Sequence, residues 1–265
     1  MKRQILIALA ACVLPTMASA QVSALYVSDF NSSRTAIVQG GVVTGMFNRA
    51  QAGDFALAIG STIRSYGRNS GDTGNEYSLS GGFIGSFGNT NPGFVDTYDG
   101  ASDGNRTWSV AHNDFGSPEF AVIQASSNWA GGSKVWAPAD RSSGITYDNT
   151  DDTLWIAKNV SGSDGIMHYS TSGALLGGFS FGFLDGAGYG LALDRADNTL
   201  WLTGAFGTAG TLFQFSKTGT LLNTVNVSGL NGFNAMSAEF SSVPEPASMA
   251  VLGLGVAALL RRRRK

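Results

Sequence analysis

Along most of the chain, apolar and polar residues alternate in short runs that Gly, Asn, Asp and Ser interrupt. Leu154-Trp155-Ile156 and Leu200-Trp201-Leu202 each follow an acidic or amide-rich turn, Asp151-Asp152-Thr153 and Asp197-Asn198-Thr199. Ile37–Phe47 (IVQGGVVTGMF), Tyr77–Phe87 (YSLSGGFIGSF) and Tyr169–Phe179 (YSTSGALLGGF) each read as strand, glycine turn, strand. A period of two with β-branched and aromatic residues at the apolar positions predicts strands. Asn, Asp, Ser and Gly between the runs predict tight turns, because their side chains bond their own backbone or tolerate unusual angles.

The pattern repeats. Gly144–Leu176 and Gly190–Leu222 align without a gap, 46 positions apart (190 less 144), and ten of 33 pairs are identical. A fixed period in the forties marks a β-propeller, in which each unit supplies one four-stranded blade. Within a unit, Gly-(Ile/Leu)-x-x-Asp is a buried inner strand ending on a turn. Leu-Trp-(Ile/Leu) is the next strand, and Ser-x-x-Gly at 170–173 and 216–219 closes the outer hairpin. The tryptophans at 155 and 201 are expected to wedge between blades, as large flat side chains do. The Tyr77–Phe87 hairpin lies 92 positions before Tyr169–Phe179, so the repeat extends upstream. Phe94–Asp99, Thr107–Val110 around Trp108, and Phe120–Gln124 form a degenerate copy.

The two ends of the body complement each other. Leu25-Tyr26-Val27 takes the place of Leu154-Trp155-Ile156, so the first unit lacks its inner strand. Met236–Phe240 falls 46 positions after Gly190–Asp194 and is an inner strand with no blade of its own. Pairing the two would close the ring and remove both open edges. The fold class is therefore all-β: a propeller of about five four-stranded blades closed by a C-terminal strand.

Composition agrees with this and narrows the function. The chain has 265 residues, 36 glycines, six prolines and only 14% charged residues. The net charge of −2 hides an asymmetry. Removing Lys2, Arg3, Arg261–Lys265 and Glu245 leaves ten basic against 18 acidic residues, a body charge of about −8. Such a body repels phosphate backbones, so no nucleic-acid partner is expected. The single cysteine, Cys12, lies before the body, which therefore has no disulfide and no thiol nucleophile.

Several constellations invite chemistry and are better read as structure. Gly100-Ala101-Ser102-Asp103-Gly104 matches G-x-S-x-G, but a nucleophile elbow needs a following helix, and a strand around Trp108 follows instead. Asp103 to Trp108 looks more like an Asp-box hairpin turn. Asp148, Asp151, Asp152, Asp194 and Asp197 lack the spacing of a calcium loop and recur at matching positions, as turn formers do. His168 pairs in the repeat with Gln214 and reads as a polar strand position; His112 opens a loop with Glu119 nearby. No catalytic residue, metal site or cofactor is assigned.

The termini carry the address. Residues 1–20 read as a secretory signal: Lys2 and Arg3, an apolar Ile5–Leu14, and Ala18-Ser19-Ala20 before cleavage at Gln21 by a signal peptidase. Leu9-Ala10-Ala11-Cys12 offers a lipobox as the alternative. The body spans 21–243. Residues 244–265 change character: Pro244-Glu245-Pro246, an apolar Ala247–Leu260, then Arg261-Arg262-Arg263-Arg264-Lys265. Fourteen helical residues span roughly 21 Å, short of a ~30 Å hydrocarbon core, so the segment would hold only for a time, with its arginines at the cytoplasmic headgroups. An ordinary single-span anchor is the plainer alternative. In order and spacing this tail resembles the PEP-CTERM sorting domain. The resemblance implies export, an exosortase-type processing enzyme as partner, a transient membrane stay through the C-terminal helix, and release to the cell surface or an exopolysaccharide-rich matrix.

For the body itself two readings stand. The first is a binding or structural module touching a glycan or protein through loops such as Tyr66–Asn75 and Lys158–Gly165, which differ between units. The second is a hydrolase or lyase acting on extracellular polysaccharide. That reading requires acidic groups to converge, and Asp54, Asp96, Asp148 and Asp194 are its candidates.

Overall fold

The computed structural model describes residues 23–241 apart from 52, 55, 68–72, 89–95, 113–119, 160–162 and 185–187. Both terminal segments, with the predicted signal cleavage site and sorting residues, lie outside the described residues. The described part is a five-bladed propeller of four-stranded antiparallel sheets.

Blade 1 holds β1 (Leu25–Asp29), β2 (Arg34–Gln39) and β3 (Val42–Asn48). Blade 2 holds β4 (Ala56–Ile59), β5 (Ile63–Tyr66), β6 (Gly74–Tyr77) and β7 (Phe83–Phe87). Blade 3, the degenerate copy, holds β8 (Asp96–Ser102), β9 (Arg106–His112), β10 (Phe120–Ser126) and β11 (Ser133–Trp136). Blade 4 holds β12 (Ser142–Asp148), β13 (Thr153–Lys158), β14 (Gly165–Ser170) and β15 (Leu175–Ser180). Blade 5 holds β16 (Gly188–Asp194), β17 (Thr199–Gly204), β18 (Thr211–Phe215) and β19 (Leu221–Asn226). The closing strand is β20 (Ala235–Phe240), which pairs antiparallel with β1, Leu25 opposite Phe240 and Val27 opposite Ala238. The first blade thus takes its inner strand from the end of the body, as the repeat register predicts.

Burial follows distance from the axis. Every residue of β12 is buried, whereas β15 is almost wholly exposed. The inner strands meet backbone to backbone. A Cβ on Gly144 would lie 2.3 Å from the Tyr189 carbonyl, and one on Gly190 2.7 Å from the Ala238 nitrogen, so only glycine permits the approach. Outside this ring the blades interlock through aromatic rings. Trp155 packs with Leu191, Leu193 and Leu200 of the next blade, and Trp201 meets Phe240 edge-on at 6.2 Å.

The turns bear out their sequence signatures. Asp148 accepts the Thr150 N–H at 3.1 Å, and Asp194 accepts that of Ala196 at 2.9 Å. Asp152 and Asn198 occupy the left-handed region at φ 55° and 61°, which Asp and Asn tolerate better than other side chains. In the outer hairpins, the Ser170 and Ser216 hydroxyls accept the Ala174 and Thr220 N–H groups at 3.0 Å. Gly173 and Gly219, both at φ 91°, press on Trp136 and Phe179 of the preceding blade.

The ring has two distinct ends. Leu25 lies opposite both Phe240 and Val38, and Val38 lies opposite Val43. The chain therefore enters and leaves at one end, called here the exit end. The inner strands begin, and β5, β9, β13 and β17 end, at the opposite end.

Candidate functional site

Three polar groups meet at the axis: Asp99 from β8, and Ser237 and Glu239 from β20. Positions 99, 145, 191 and 237 are 46 apart, so Asp99 stands where blades 4 and 5 carry Ile145 and Leu191. A bulge between Thr97 and Asp99 in β8 re-aims the strand there. The Asp99 carboxylate is fully buried and accepts five hydrogen bonds. One oxygen takes the N–H groups of Ile145 at 3.0 Å and Leu191 at 2.9 Å. The other takes the N–H groups of Gly100 at 2.9 Å and Ala238 at 3.3 Å, and the Ser237 hydroxyl. Ser237 Oγ in turn accepts the Leu57 N–H at 3.0 Å. Two side chains therefore tie together the inner strands of all five blades.

Burial pushes the Asp99 carboxyl up to about 8, against the opposing pull of its donors from Leu191, Ser237, Ile145 and Gly100. Glu239, facing the same core, is raised well above the usual carboxylate range by burial, with Arg195 lowering it and Asp99 raising it. Both oxygens of Asp99 are spent on the protein's own donors. The arrangement clasps strands and leaves no oxygen directed at a substrate.

The three nominated carboxylates whose side chains are described, Asp54, Asp148 and Asp194, do not converge. Asp54 sits at 3.2 Å from Arg49 in a wholly buried ion pair between blades 1 and 2, and also accepts bonds from Ser65 and Asn75 at 2.8 and 2.7 Å. Burial raises Asp54 and lowers Arg49, while each supports the other's charge. Arg49 donates further to the carbonyls of Arg34, Asp29 and Ser32 at 2.8–3.0 Å. Asp148 pairs with Lys217 across blades and accepts the Trp155 indole N–H at 3.3 Å. Asp194 holds Ser23 at 2.9 Å, beside its turn. Of Asp96 only the strand position is described.

The remaining candidates are structural. Ser102 accepts the Gly104 N–H and donates to the Arg106 carbonyl, each at 3.0 Å, inside a hairpin turn. Asp103 completes that turn by accepting the N–H groups of Asn105 and Arg106 at 2.8 and 2.6 Å, as an Asp-box does. His168 stacks on Trp155 with centroids 4.0 Å apart and meets Thr153 Oγ1 at 2.7 Å. Its repeat partner Gln214 donates to Thr199 Oγ1 at 3.0 Å, so both serve the same turn. His112 is buried against Tyr98, its Nε2 2.7 Å from the Ser142 carbonyl oxygen. The rest of its loop, with Glu119, lies outside the described residues. Among the described residues no three His, Cys, Asp or Glu side chains group as a metal ion requires.

The end opposite the exit presents one unusual residue that sequence reading did not single out. Phe206 follows β17, is 57% exposed, and stands at φ 48°, a region that bulky residues avoid. Its N–H is held by Asn234 Oδ1 at 2.6 Å, and its ring meets Tyr189 edge-on at 5.6 Å. A strained aromatic displayed to solvent costs stability that packing does not return, and such strain concentrates at functional positions.

Comparison with known proteins decides the identity of the tail. Residues 242–265 are a PEP-CTERM protein-sorting motif. The motif implies export, a transient stay at the membrane, and processing by an exosortase. Among the described residues no helix is long and apolar enough to cross a membrane. The body resembles a chain of a nidogen/laminin complex, with a TM-score of 0.56 and 10% identity over 83% of this chain and 98% of that one. A Myxococcus xanthus glutaminyl cyclase is similar at a TM-score of 0.50 and 12% identity, covering 79% of this chain and 77% of that one. A luciferin-regenerating enzyme matches at 0.48 and 13%, covering 78% and 76%. The first two likenesses show the fold alone, and one of those two proteins is an enzyme. No curated protein sequence matches the chain.

Proposed function

We propose that the propeller is a non-enzymatic binding module, exported by secretion machinery after signal-peptidase cleavage at Gln21. On this reading the tail is then cut, and the ring is released to the cell surface or extracellular matrix. There it would hold a glycan or protein through the end opposite the exit, where Phe206 follows β17 and where β5 and β13 end at the sequence that varies between units after Tyr66 and Lys158. The observation that carries this reading is the use of the carboxylates. Asp54, Asp99, Asp148 and Asp194 are each committed to a separate structural partner, whereas polysaccharide hydrolysis requires two of them facing one bond. Phe206 supplies what recognition needs instead, an apolar surface already fixed in place before a partner arrives.

A glycan array probed with the purified ring, Gln21–Val243, tests the proposal. Retention of a polymer that Phe206→Ala weakens at least tenfold is the expected result. Chain cleavage of any polysaccharide on the array, seen as new reducing or unsaturated ends, would replace the binding role with a hydrolase or lyase.

A further inference from the structure

Asn234, just before β20, joins three pieces of chain at the end opposite the exit. Its side-chain oxygen accepts the Phe206 N–H at 2.6 Å, its own N–H donates to Asp29 Oδ1 at 3.0 Å, and its carbonyl accepts the Phe30 N–H at 2.9 Å. The bond from Phe206 fixes which end of the amide is Oδ1. The other end, Nδ2, keeps two hydrogens that have no partner among the described residues. Asn234 is only half-buried. Tyr189, which meets the Phe206 ring edge-on, likewise has a hydroxyl with no partner among the described residues. The support beneath is bonded together. Thr203 Oγ1 accepts the Gly190 N–H and donates to the Ala235 carbonyl, each at 2.8 Å, which links β16, β17 and β20. Among the described residues, Phe206 is the one large exposed apolar side chain outside an outer strand, its hairpin turn or the connection leaving it. Amides surround it: Asn31, exposed beside Phe30, and Asn231, which faces Gly210 at the end of the Phe206 loop.

We infer that Phe206, Asn234 and Tyr189 form a subsite for one neutral pyranose ring of an extracellular polysaccharide. The inference rests on the binding role proposed above and names its ligand. A protein partner buries a patch with several aromatic or aliphatic anchors, whereas one flat ring with unspent polar groups beside it matches a sugar. The C–H face of a pyranose covers the aromatic ring. Its hydroxyls, which both donate and accept, meet the Asn234 amide and the Tyr189 hydroxyl. Charge selects among sugars. The body carries about −8, which repels uronic-acid and sulfated chains. Arg34, over the Phe233 ring, has the Asp29 carboxylate at 3.8 Å to balance its charge. The left-handed backbone at Phe206 then has a use: it turns the ring outward while Asn234 holds the main chain still.

Affinity electrophoresis of the full chain in a sugar-free detergent tests this, with neutral glucans and mannans or acidic alginate and polygalacturonate cast in native gels. A neutral polymer should retard the chain and an acidic one should not. Phe206→Gly removes the ring at a backbone angle that glycine adopts freely, so it should weaken retardation about tenfold while the melting temperature holds. Phe206→Tyr keeps the ring and should bind as the wild type does. Asn234→Asp keeps an oxygen for the Phe206 N–H but loses both donors, and should weaken binding several-fold. Retardation by neutral polymer that survives Phe206→Gly overturns the subsite and moves the binding role to another surface. Retardation by acidic polymer alone overturns the neutral sugar and keeps the binding role. No retardation by any polymer overturns the glycan ligand. A matrix protein retained by the wild type but not by Phe206→Gly would then preserve the binding role, and failure to retain one would end it. Shortened polymer recovered from the gel would replace both readings with catalysis.

Discussion

Trp155 and Trp201 occupy equivalent positions 46 apart, yet their surroundings differ. Trp155 is 5% exposed, stacked on His168 and bonded to Asp148, whereas Trp201 is only half-buried. Trp155→Ala should therefore cost about 3–5 kcal/mol, and Trp201→Ala clearly less, as chemical denaturation would measure. A loss below about 1 kcal/mol at Trp155 would place its ring outside the blade interface. Asp99 makes a pH-dependent prediction. Its carboxyl is raised from its ordinary 3.8 to about 8, so the folded state holds the proton more tightly than the unfolded chain does. Its contribution to stability is complete below pH 4 and is lost as pH rises toward 8. Glu239 shifts in the same direction. Thermal unfolding followed from pH 4 to 9 should show stability falling, and Asp99→Asn should flatten that slope without removing the part due to Glu239. An unchanged slope in the variant would mean that the five donors keep the carboxylate ionised throughout. Asp99 was visible in the sequence only as an acidic residue at a repeat position where Ile145 and Leu191 are apolar. That it gathers donors from all sides depends on ring closure, which no local pattern encodes.

Among the elements, β20 has the largest consequence for its size. Its six residues complete blade 1 and carry Ser237, whose hydroxyl links Leu57 to Asp99. Removing Asn234–Ser242 would expose the edge of β1 and strip the axial clasp of one member. The truncated protein should aggregate or unfold, read by light scattering and circular dichroism; a variant melting like the intact ring would refute closure by this strand. Strand order within the blades was legible because Gly, Asp, Trp and Ser-x-x-Gly recur at a fixed offset. Blade 3 was legible only in part. Its outer strand β11 follows a long turn at Trp129, with φ 64°, and contains Lys134, so neither the spacing nor the apolar pair of the other blades marks it.

At the scale of the whole molecule, the ring and its tail are separate devices joined by a few residues. Glu245 lies between two prolines, a sequence that disfavours helix and would suit the grip of a processing enzyme. Mass spectrometry of the native protein should find the sorting tail absent, and Glu245→Ala should accumulate as an uncut, membrane-bound form. A wild-type C-terminus at Lys265 would make the tail a permanent anchor.

The sequence by itself determined the blade register, the closing strand, the turn chemistry and the sorting tail. Each rests on residues close in the chain or on an exact repeat, and local backbone preference and periodicity suffice to read them. Only the tertiary structure decided which acids stand alone and which meet. Asp54 found Arg49, Asp148 found Lys217, and Asp99 found Ser237 from 138 positions away, because circular closure sets contacts that sequence distance does not constrain. The structure likewise decided that Leu175, Leu221, Phe83 and Val42 are exposed to solvent. In the sequence they are ordinary strand residues; on the ring, blades that splay outward leave their outermost strands without a neighbour to cover them.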